Sequence, residues 1–166
     1  MKFESGFSLL EVLIAILIFS FGLFGIAGLQ FVSLASNQSA EIRSTAISLA
    51  YDMADRMRAN MSGVTAGNYN GIAGADNQCQ ATHYNHIHGA PANCTVAQIA
   101  QDDVYDWKAT VAGLLPQGAA TVCIDSTPDT AACDNAGKNY AVRVSWQDKP
   151  KNQVPVIKSV VIGFQP

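Results

Sequence analysis

The sequence predicts an α+β protein in which one long N-terminal helix leads into a small head domain with a second helix and an antiparallel sheet. Three patterns support this fold class. No charged residue occurs between Val12 and Ala40, and helically spaced apolar residues follow directly. A second helical pattern begins near residue 95, and two alternating patterns near the C-terminus are typical of strands. Helices beside an antiparallel sheet make an α+β head.

The uncharged segment is long enough to cross a membrane. Its roughly 29 residues would span about 43 Å as a helix, which exceeds the ~30 Å hydrocarbon core of a bilayer. An ordinary signal peptide, cleaved near residues 25–27, is the alternative. The apolar run continues through Leu34, however, so the pattern favours a lasting anchor. Gly22, Gly25 and Gly28 recur at every third position, which favours close packing of membrane helices; the alternative is a weak point at which the helix unwinds.

The helical pattern continues beyond the uncharged segment. Six apolar residues recur at spacings of three and four and form one stripe: Ile42, Ala46, Leu49, Ala50, Met53 and Met57. Asp52 and Arg56 form an i,i+4 pair that we expect on the outer side of this helix. The sequence therefore predicts one helix from about Phe7 to about Asn60. Residues 63–77, rich in Gly, Asn and Ala, predict a loop without a packed stripe.

A second helix and three strands complete the predicted head. Thr95 and Gln98 fit a capping box, and apolar residues then follow helical spacing to about Leu115, before Pro116. Within this helix Trp107 is predicted to anchor the core. The strands are expected at residues 120–124, 140–146 and 154–164, with residues 148–153 as the turn between the last two.

The four cysteines all follow the apolar segment. If that segment exports the rest of the chain, Cys79, Cys94, Cys123 and Cys133 enter an oxidising compartment and should pair. Sequence alone allows three connectivities. The simplest joins sequence neighbours, as Cys79–Cys94 and Cys123–Cys133.

Three histidines lie between the first two cysteines. His83, His86 and His88 together with Cys79 and Cys94 offer zinc-ligand chemistry, but their spacing matches no standard zinc module. Oxidised cysteines cannot act as thiolate ligands. We therefore expect a disulfide-closed surface loop with incidental histidines, no metal and no cofactor.

Composition argues against two functional classes. The net charge is −3, which gives no support for a nucleic-acid partner because such partners need a basic surface. The sequence contains no nucleophile elbow, phosphate-binding loop or zinc-protease helix. We therefore expect a protein that is not an enzyme.

Glu11 is the anomaly of the apolar segment. A carboxylate near the bilayer centre costs about 2.5–3.5 kcal/mol on insertion scales. One interpretation is that Glu11 lies close enough to the membrane surface to stay hydrated. The other is that it has a partner: cleavage after Gly6 would give Phe7 a free α-amino group one helical turn away, or beside Glu11 of a neighbouring helix. Lys2 would keep the short leader on the cytoplasmic side.

The N-terminal residues Gly6-Phe7-Ser8-Leu9-Leu10-Glu11-Val12, followed by a long apolar helix, resemble the class III signal of type IV pilins and pseudopilins. The resemblance implies a type IV pilin-like fold. It also implies that a prepilin peptidase cuts between Gly6 and Phe7 and methylates Phe7, with Glu11 as the fifth mature residue. The implied organisation is a leader over residues 1–6, a transmembrane and filament-core helix over 7–36, its amphipathic continuation over 37–61, and a periplasmic head over 62–166.

Beyond the transmembrane segment, the chain resembles minor pilins at residues 49–57, around Trp107 and over residues 140–146. This implies a minor pilin that aids pilus assembly and priming, twitching motility and adhesion. Its implied partners are the prepilin peptidase, major and minor pilins, the inner-membrane assembly machinery and the membrane itself. The implied location is the inner membrane, with a periplasmic head, and later the tip of an extracellular pilus. The alternatives are a minor pseudopilin of a type II secretion system, a DNA-uptake pilin or a membrane-tethered periplasmic binding module.

Overall fold

The computed structural model describes residues 8–80, 82–83, 86–87, 93–127, 132–148 and 154–166, with only the backbone for 82–83 and 86–87. The chain forms two compact units, which meet in sequence between Ala40 and Glu41. The elements in the described residues are α1 (Leu9–Ala59), α2 (Met61–Thr65), β1 (Thr82–His83), β2 (His86–Ile87), α3 (Val96–Leu114), β3 (Ala119–Ile124), β4 (Tyr140–Asp148) and β5 (Val156–Phe164). The expected α+β class is confirmed.

Helix α1 is the long N-terminal helix that the two apolar patterns predict. In its first turn, the backbone N–H groups of Glu11 and Val12 donate to the carbonyl oxygen of Ser8. It ends at Ala59, one residue before the predicted end. Asn60 then caps α2, because its side-chain oxygen accepts a hydrogen bond from the N–H of Gly63 at 3.2 Å.

The prediction of an unpacked loop over residues 63–77 is wrong in part. The short helix α2 covers its beginning, and Val64 is buried. Tyr69 is fully buried in the head core, and Ile72 packs against that core. These apolar residues occur singly among glycines and asparagines, so they produce no periodic pattern. Their burial depends on the surface that α3 and the sheet provide.

Helix α3 begins at the predicted capping box, which is confirmed. The N–H of Gln98 donates to Thr95 Oγ1 at 3.3 Å, and the N–H of Thr95 donates to Gln98 Oε1 at 3.0 Å. After α3 the chain turns tightly at Gly118. A Cβ at this position would lie 2.3 Å from the carbonyl oxygen of Val111, so the turn requires glycine.

The head sheet has the order β3–β4–β5 and is antiparallel throughout. Val142 at the centre of β4 lies opposite Val122 of β3 and Ile162 of β5. The predicted alternation along β4 is confirmed from Val142 onward, because Val142, Val144 and Trp146 are buried and Arg143, Ser145 and Gln147 are only partly so. Tyr140 is buried as expected, but its neighbour Ala141 is buried as well. Residues 149–153 of the predicted turn lie outside the described residues.

The core lies between the second part of α1, helix α3 and one face of the sheet. Trp107 is completely buried there, as predicted, and its indole Nε1–H donates to the carbonyl oxygen of Leu49 on α1 at 2.8 Å. Tyr140 of β4 donates its hydroxyl to the carbonyl oxygen of Val64 at 2.9 Å. The buried members of the apolar stripe on α1 are Ala46, Leu49, Ala50, Met53 and Met57.

Candidate functional sites

The predicted processing residues, Gly6 and Phe7, lie outside the described residues. The described chain begins at Ser8, whose carbonyl oxygen already accepts hydrogen bonds of the first turn of α1. Cleavage after Gly6 and methylation of Phe7 therefore stay predictions.

Glu11 lies in the first turn of α1, where a negative charge interacts favourably with the helix dipole. Its side chain is exposed among exposed apolar neighbours. Among residues 8–80 and the other described segments, no side chain forms an ion pair or a hydrogen bond with its carboxylate. The predicted partner, the amine of Phe7, lies outside the described residues. Glu11 thus places a carboxylate on an apolar helix surface, where it can pair with a cation that lies outside the described residues.

The apolar surface around Glu11 is extensive. Within the described residues, α1 contains one segment long and apolar enough to cross a membrane, and none of that segment is buried within its own chain. Leu10, Phe19 and Phe24 illustrate this, because each side chain is about two thirds or more exposed: 66%, 67% and 76%. So much apolar surface on one helix needs cover from lipid or from other helices.

The glycines of this segment are not required by contacts within the described chain. A Cβ placed on Gly22, Gly25 or Gly28 would meet no described atom within 4 Å. Each glycine nevertheless costs about 0.8–1 kcal/mol of helix propensity relative to alanine. Their presence is consistent with close approach by another helix rather than with packing inside the subunit.

In the head, a charged cluster joins α1 to α3. Arg56 Nε lies 3.0 Å from Asp52 Oδ2, as the i,i+4 prediction requires. However, Arg56 Nη2 also lies 2.9 Å from Asp106 Oδ2, and Nη1 lies 3.9 Å from Asp103 Oδ1. The expected position on the outer side is therefore wrong for Arg56, whose side chain is only 22% exposed. Burial lowers the pKa of Arg56, but the carboxylates of Asp52 and Asp106 outweigh it and the pKa is raised.

Asp103 also accepts from two further side chains. The hydroxyl of Tyr69 donates to Asp103 Oδ2 at 2.6 Å, and Gln80 Nε2 donates to Oδ1 at 2.8 Å. Asn60 Nδ2 donates to the Tyr69 oxygen at 3.1 Å and to the carbonyl oxygen of Val96 at 2.9 Å. Burial raises the pKa of Asp103, and burial with the hydrogen bond to Asp103 raises the pKa of Tyr69. The network holds α1, α3 and the intervening segment together.

Sequence reasoning missed this network, although one signal was present. Asp103 lies four residues after Ile99 and four before Trp107, so it occupies a position of the apolar stripe on α3. A carboxylate in such a stripe indicates a buried acid that needs a donor. Which donor it meets depends on the tertiary structure, because Arg56 is almost fifty positions away.

The first disulfide joins Cys79 to Cys94, with 5.8 Å between their Cα atoms, and closes the histidine-containing loop. Just before it, the N–H of Asn77 donates to Asp102 Oδ1 at 2.8 Å, and Asn77 Nδ2 donates to Gln101 Oε1 at 3.0 Å. Inside the loop, β1 and β2 form a two-stranded antiparallel sheet. His88 lies outside the described residues.

The second disulfide joins Cys123 to Cys133. The fully buried Asp125 lies between them in sequence, and its carboxylate accepts from the N–H of Thr127 at 3.0 Å and lies 3.6 Å from Arg143 Nη2. Asp125 and the two sulfur atoms are close enough to hold an ion. Because the sulfurs are bonded to each other, they are not thiolates and this group is not a metal site of the usual kind.

Two family models match consecutive parts of the chain. Residues 1–27 match the prokaryotic N-terminal methylation motif, and residues 28–105 match the Tt1218-like family, described as type IV pilin Tt1218. A search of curated proteins and a search of solved structures returned no match. Over residues 1–105 the chain is thus similar to type IV pilins, a family of structural subunits rather than enzymes. A methylation motif followed by an apolar helix fits membrane anchoring and a pilin or pseudopilin subunit.

Proposed function

We propose that this chain is a minor pilin of a type IV pilus. A prepilin peptidase removes residues 1–6 and methylates Phe7. Residues 7–36 then anchor the subunit in the inner membrane with its head in the periplasm. The inner-membrane assembly machinery transfers the subunit among major and minor pilins into the extracellular filament, where we place it at the tip. There it helps to prime the pilus and supports twitching motility and adhesion.

The observation that carries this proposal is the methylation motif on an uncovered apolar helix. The match over residues 1–27 includes Gly6, Phe7 and Glu11. The helix that follows exposes its apolar surface along the whole membrane-length segment. Lipid covers such a surface before assembly, and neighbouring subunits cover it afterwards, so the same residues serve both states.

Glu11 favours transfer of the subunit from the membrane into the filament. In the membrane its charge is held at a cost, whereas beside another subunit it meets the N-terminal cation of Phe7 in a nearly dry helix bundle. Charges attract more strongly there than in water, although desolvation removes part of the gain. We propose that the pair acts mainly to set the stagger between helices. The leucine, isoleucine and phenylalanine side chains supply adhesion without direction.

The composition of the head is consistent with an exported subunit, and we propose that this subunit is related to the minor pilin PilV. Its two disulfides suit an oxidising compartment outside the cytoplasm. The proposed relation to PilV rests on residues 49–57, on the helix around Trp107 and on the strand from Tyr140 to Trp146. A minor pseudopilin of a type II secretion system has the same anchor and is the alternative. Deletion of the gene separates them: loss of twitching with normal secretion favours the pilin, and the reverse favours the pseudopilin.

Processing is tested by the intact mass of the filament-associated protein. We expect loss of residues 1–6 and one added methyl group on Phe7. Gly6→Val should block cleavage, because a peptidase site that accepts glycine has little room for a branched side chain. A mature N-terminus at Gly28 would indicate an ordinary signal peptide and would overturn the proposal.

Assembly is tested by comparing Glu11→Ala with Glu41→Ala, a carboxylate on the same helix beyond the apolar segment. Both variants should be cleaved after Gly6, because the cut lies more than a turn from Glu11. Glu11→Ala should accumulate in the inner membrane, Glu11→Asp should be intermediate, and Glu41→Ala should enter sheared pili normally. Equal amounts of all three in the sheared fraction would show that Glu11 does not set the stagger.

A further inference from the structure

The two outer edges of the head sheet β3–β4–β5 differ in how their backbone groups are paired. At β3, the carbonyl oxygen of Val122 accepts from the N–H of Gly71 at 2.9 Å, and the N–H of Ile124 donates to Asn70 Oδ1 at 2.8 Å. At β5, no group among the described residues forms a hydrogen bond with the outer edge. Within the described part of the chain, one edge is therefore capped and the other is open.

Strand register identifies which residues of β5 present backbone groups at the open edge. In an antiparallel ladder, the N–H and C=O of one residue point to the same side, and successive residues alternate between the two sides. On β4, the N–H of Gln147 donates to the carbonyl oxygen of Pro116, which leads into β3. The even-numbered residues of β4 therefore point towards β5, where Val144 lies opposite Val160, and the even-numbered residues of β5 point back to β4. The residues of β5 that direct their N–H and C=O groups outward are Ile157, Ser159, Val161 and Gly163.

The open edge lacks the features that usually protect an edge strand, which are short length, proline, a bulge or charged side chains. Strand β5 has nine residues without proline, and it pairs with β4 residue by residue without a bulge. Its one charged side chain, Lys158, forms an ion pair with Asp148. Two apolar side chains are also accessible, since Val156 is 48% and Ile157 is 64% exposed. The edge is therefore a template on which a further strand can pair.

A second copy of this chain does not fit the open edge. Its β3 edge is capped, so only its own β5 could pair, and a closed pair of identical chains has a two-fold axis. For two antiparallel strands in one continuous sheet, that axis is perpendicular to the sheet and reverses every direction within the sheet plane.

Helix α1 would be reversed by this axis. It packs against one face of the sheet, where Arg58 lies over the ring of Phe164 at 5.5 Å, and a helix on a sheet lies in a layer parallel to it. Copies held by the proposed membrane anchor all point in one direction, so a reversed copy is excluded. This step rests on the proposed function, and it assigns the additional strand to a different protein.

We propose that the outer edge of β5 binds an extended strand of another protein, and that this strand is uncharged and rich in β-branched residues. Its backbone pairs with Ser159 and the other outward-facing residues, which supplies affinity. Its side chains cover Val160 and Ile162, which pack against the head core but are only partly buried. A charged side chain there would lose water without gaining a partner, because Lys158 is already paired with Asp148.

The test uses the mature full-length chain in detergent micelles and a short fluorescent peptide of alternating threonine and valine. Methyl groups on alternate backbone nitrogens block one edge of the peptide, so that it cannot form fibrils. We expect its fluorescence anisotropy to rise on binding, and amide hydrogen exchange to slow in residues 157–163 but not in residues 119–124. The same peptide methylated at every backbone nitrogen has no N–H donors and should bind about tenfold more weakly.

Ser159→Pro is the matching change in the protein, and Ser159→Ala is its control. Proline removes an outward-facing N–H but leaves the pairing with β4, as edge strands allow, so the peptide should bind about tenfold more weakly. Ser159→Ala keeps this N–H and should bind the peptide as the unmodified chain does. Tryptophan emission verifies that the head of each variant is folded.

Two results with the unmodified chain would overturn the proposal without any variant. One is the absence of peptide binding up to about 1 mM, and the other is equal binding of the fully methylated peptide. Equal binding by folded Ser159→Pro and Ser159→Ala would also contradict it. A dimer of the chain alone that Ser159→Pro dissociates would show instead that a second copy covers the edge. Because these measurements use the purified chain, they are independent of whether the subunit enters a pilus.

Discussion

Replacing Arg56 with glutamine tests whether the charged cluster between α1 and α3 stabilises the head. Arg56 is the cation shared by Asp52, Asp103 and Asp106. Glutamine retains part of the length and some hydrogen bonding but removes the charge. Asp103 and Asp106 on α3 would then remain buried without the positive charge that compensates them.

The expected loss follows from burial. The side chains of Asp103 and Asp106 are only 7% and 5% exposed. Removing one partner of a buried ion pair typically costs 3–5 kcal/mol, because a charge stays behind without compensation. The side chain of Arg56 is 22% exposed, so water can relieve part of this loss. We therefore expect Arg56→Gln to lower the free energy of unfolding by about 3 kcal/mol. Arg56→Lys should lose less, since it keeps the charge but not the fork of donors.

Urea denaturation of the mature chain in micelles, followed by tryptophan emission, measures this loss. Both tryptophans of the chain, Trp107 and Trp146, lie in the head, so the signal reports only that unit. The control is Arg43→Gln, an exposed position on the same helix, which should change the free energy by no more than about 0.5 kcal/mol. A loss in Arg56→Gln no larger than in this control would refute the reasoning.

Three further predictions concern the head. Trp107→Phe should cost about 1–3 kcal/mol, because the buried donor to the Leu49 carbonyl is lost, and denaturation followed by circular dichroism measures it. Replacing Cys123 and Cys133 together with serine should cost about 2–4 kcal/mol by releasing a closed loop, measured as a shift of the urea midpoint. Asp103→Asn tests the raised pKa of Asp103. The folded state binds the proton of the Asp103 carboxyl more tightly than the unfolded state does, so a lower pH favours folding of the unmodified protein. Its free energy of unfolding relative to the variant should therefore increase as the pH falls through the raised pKa towards 3.8. A constant difference between pH 7 and pH 4 would contradict that assignment.

Local pattern was sufficient for the parts of the protein whose structure depends on neighbours in sequence. The uncharged run from Val12 to Ala40 predicts the exposed apolar helix, because the composition of a single helix determines whether its surface is more stable in water or in an apolar environment. The spacing of residues 42–57 predicts the buried face of α1, and Thr95 with Gln98 predicts the start of α3. Alternation predicts the buried face of β4. Each of these depends on side chains within a few positions of one another.

The remaining features required partners far apart in sequence. Tyr69 is buried only because other elements cover it, and its own segment shows no period. Asp103 signals burial through its position on α3, yet its partner Arg56 is supplied by a different helix. Long-range contacts of this kind are set by the packing of the whole head, and for that physical reason only the tertiary structure decided them.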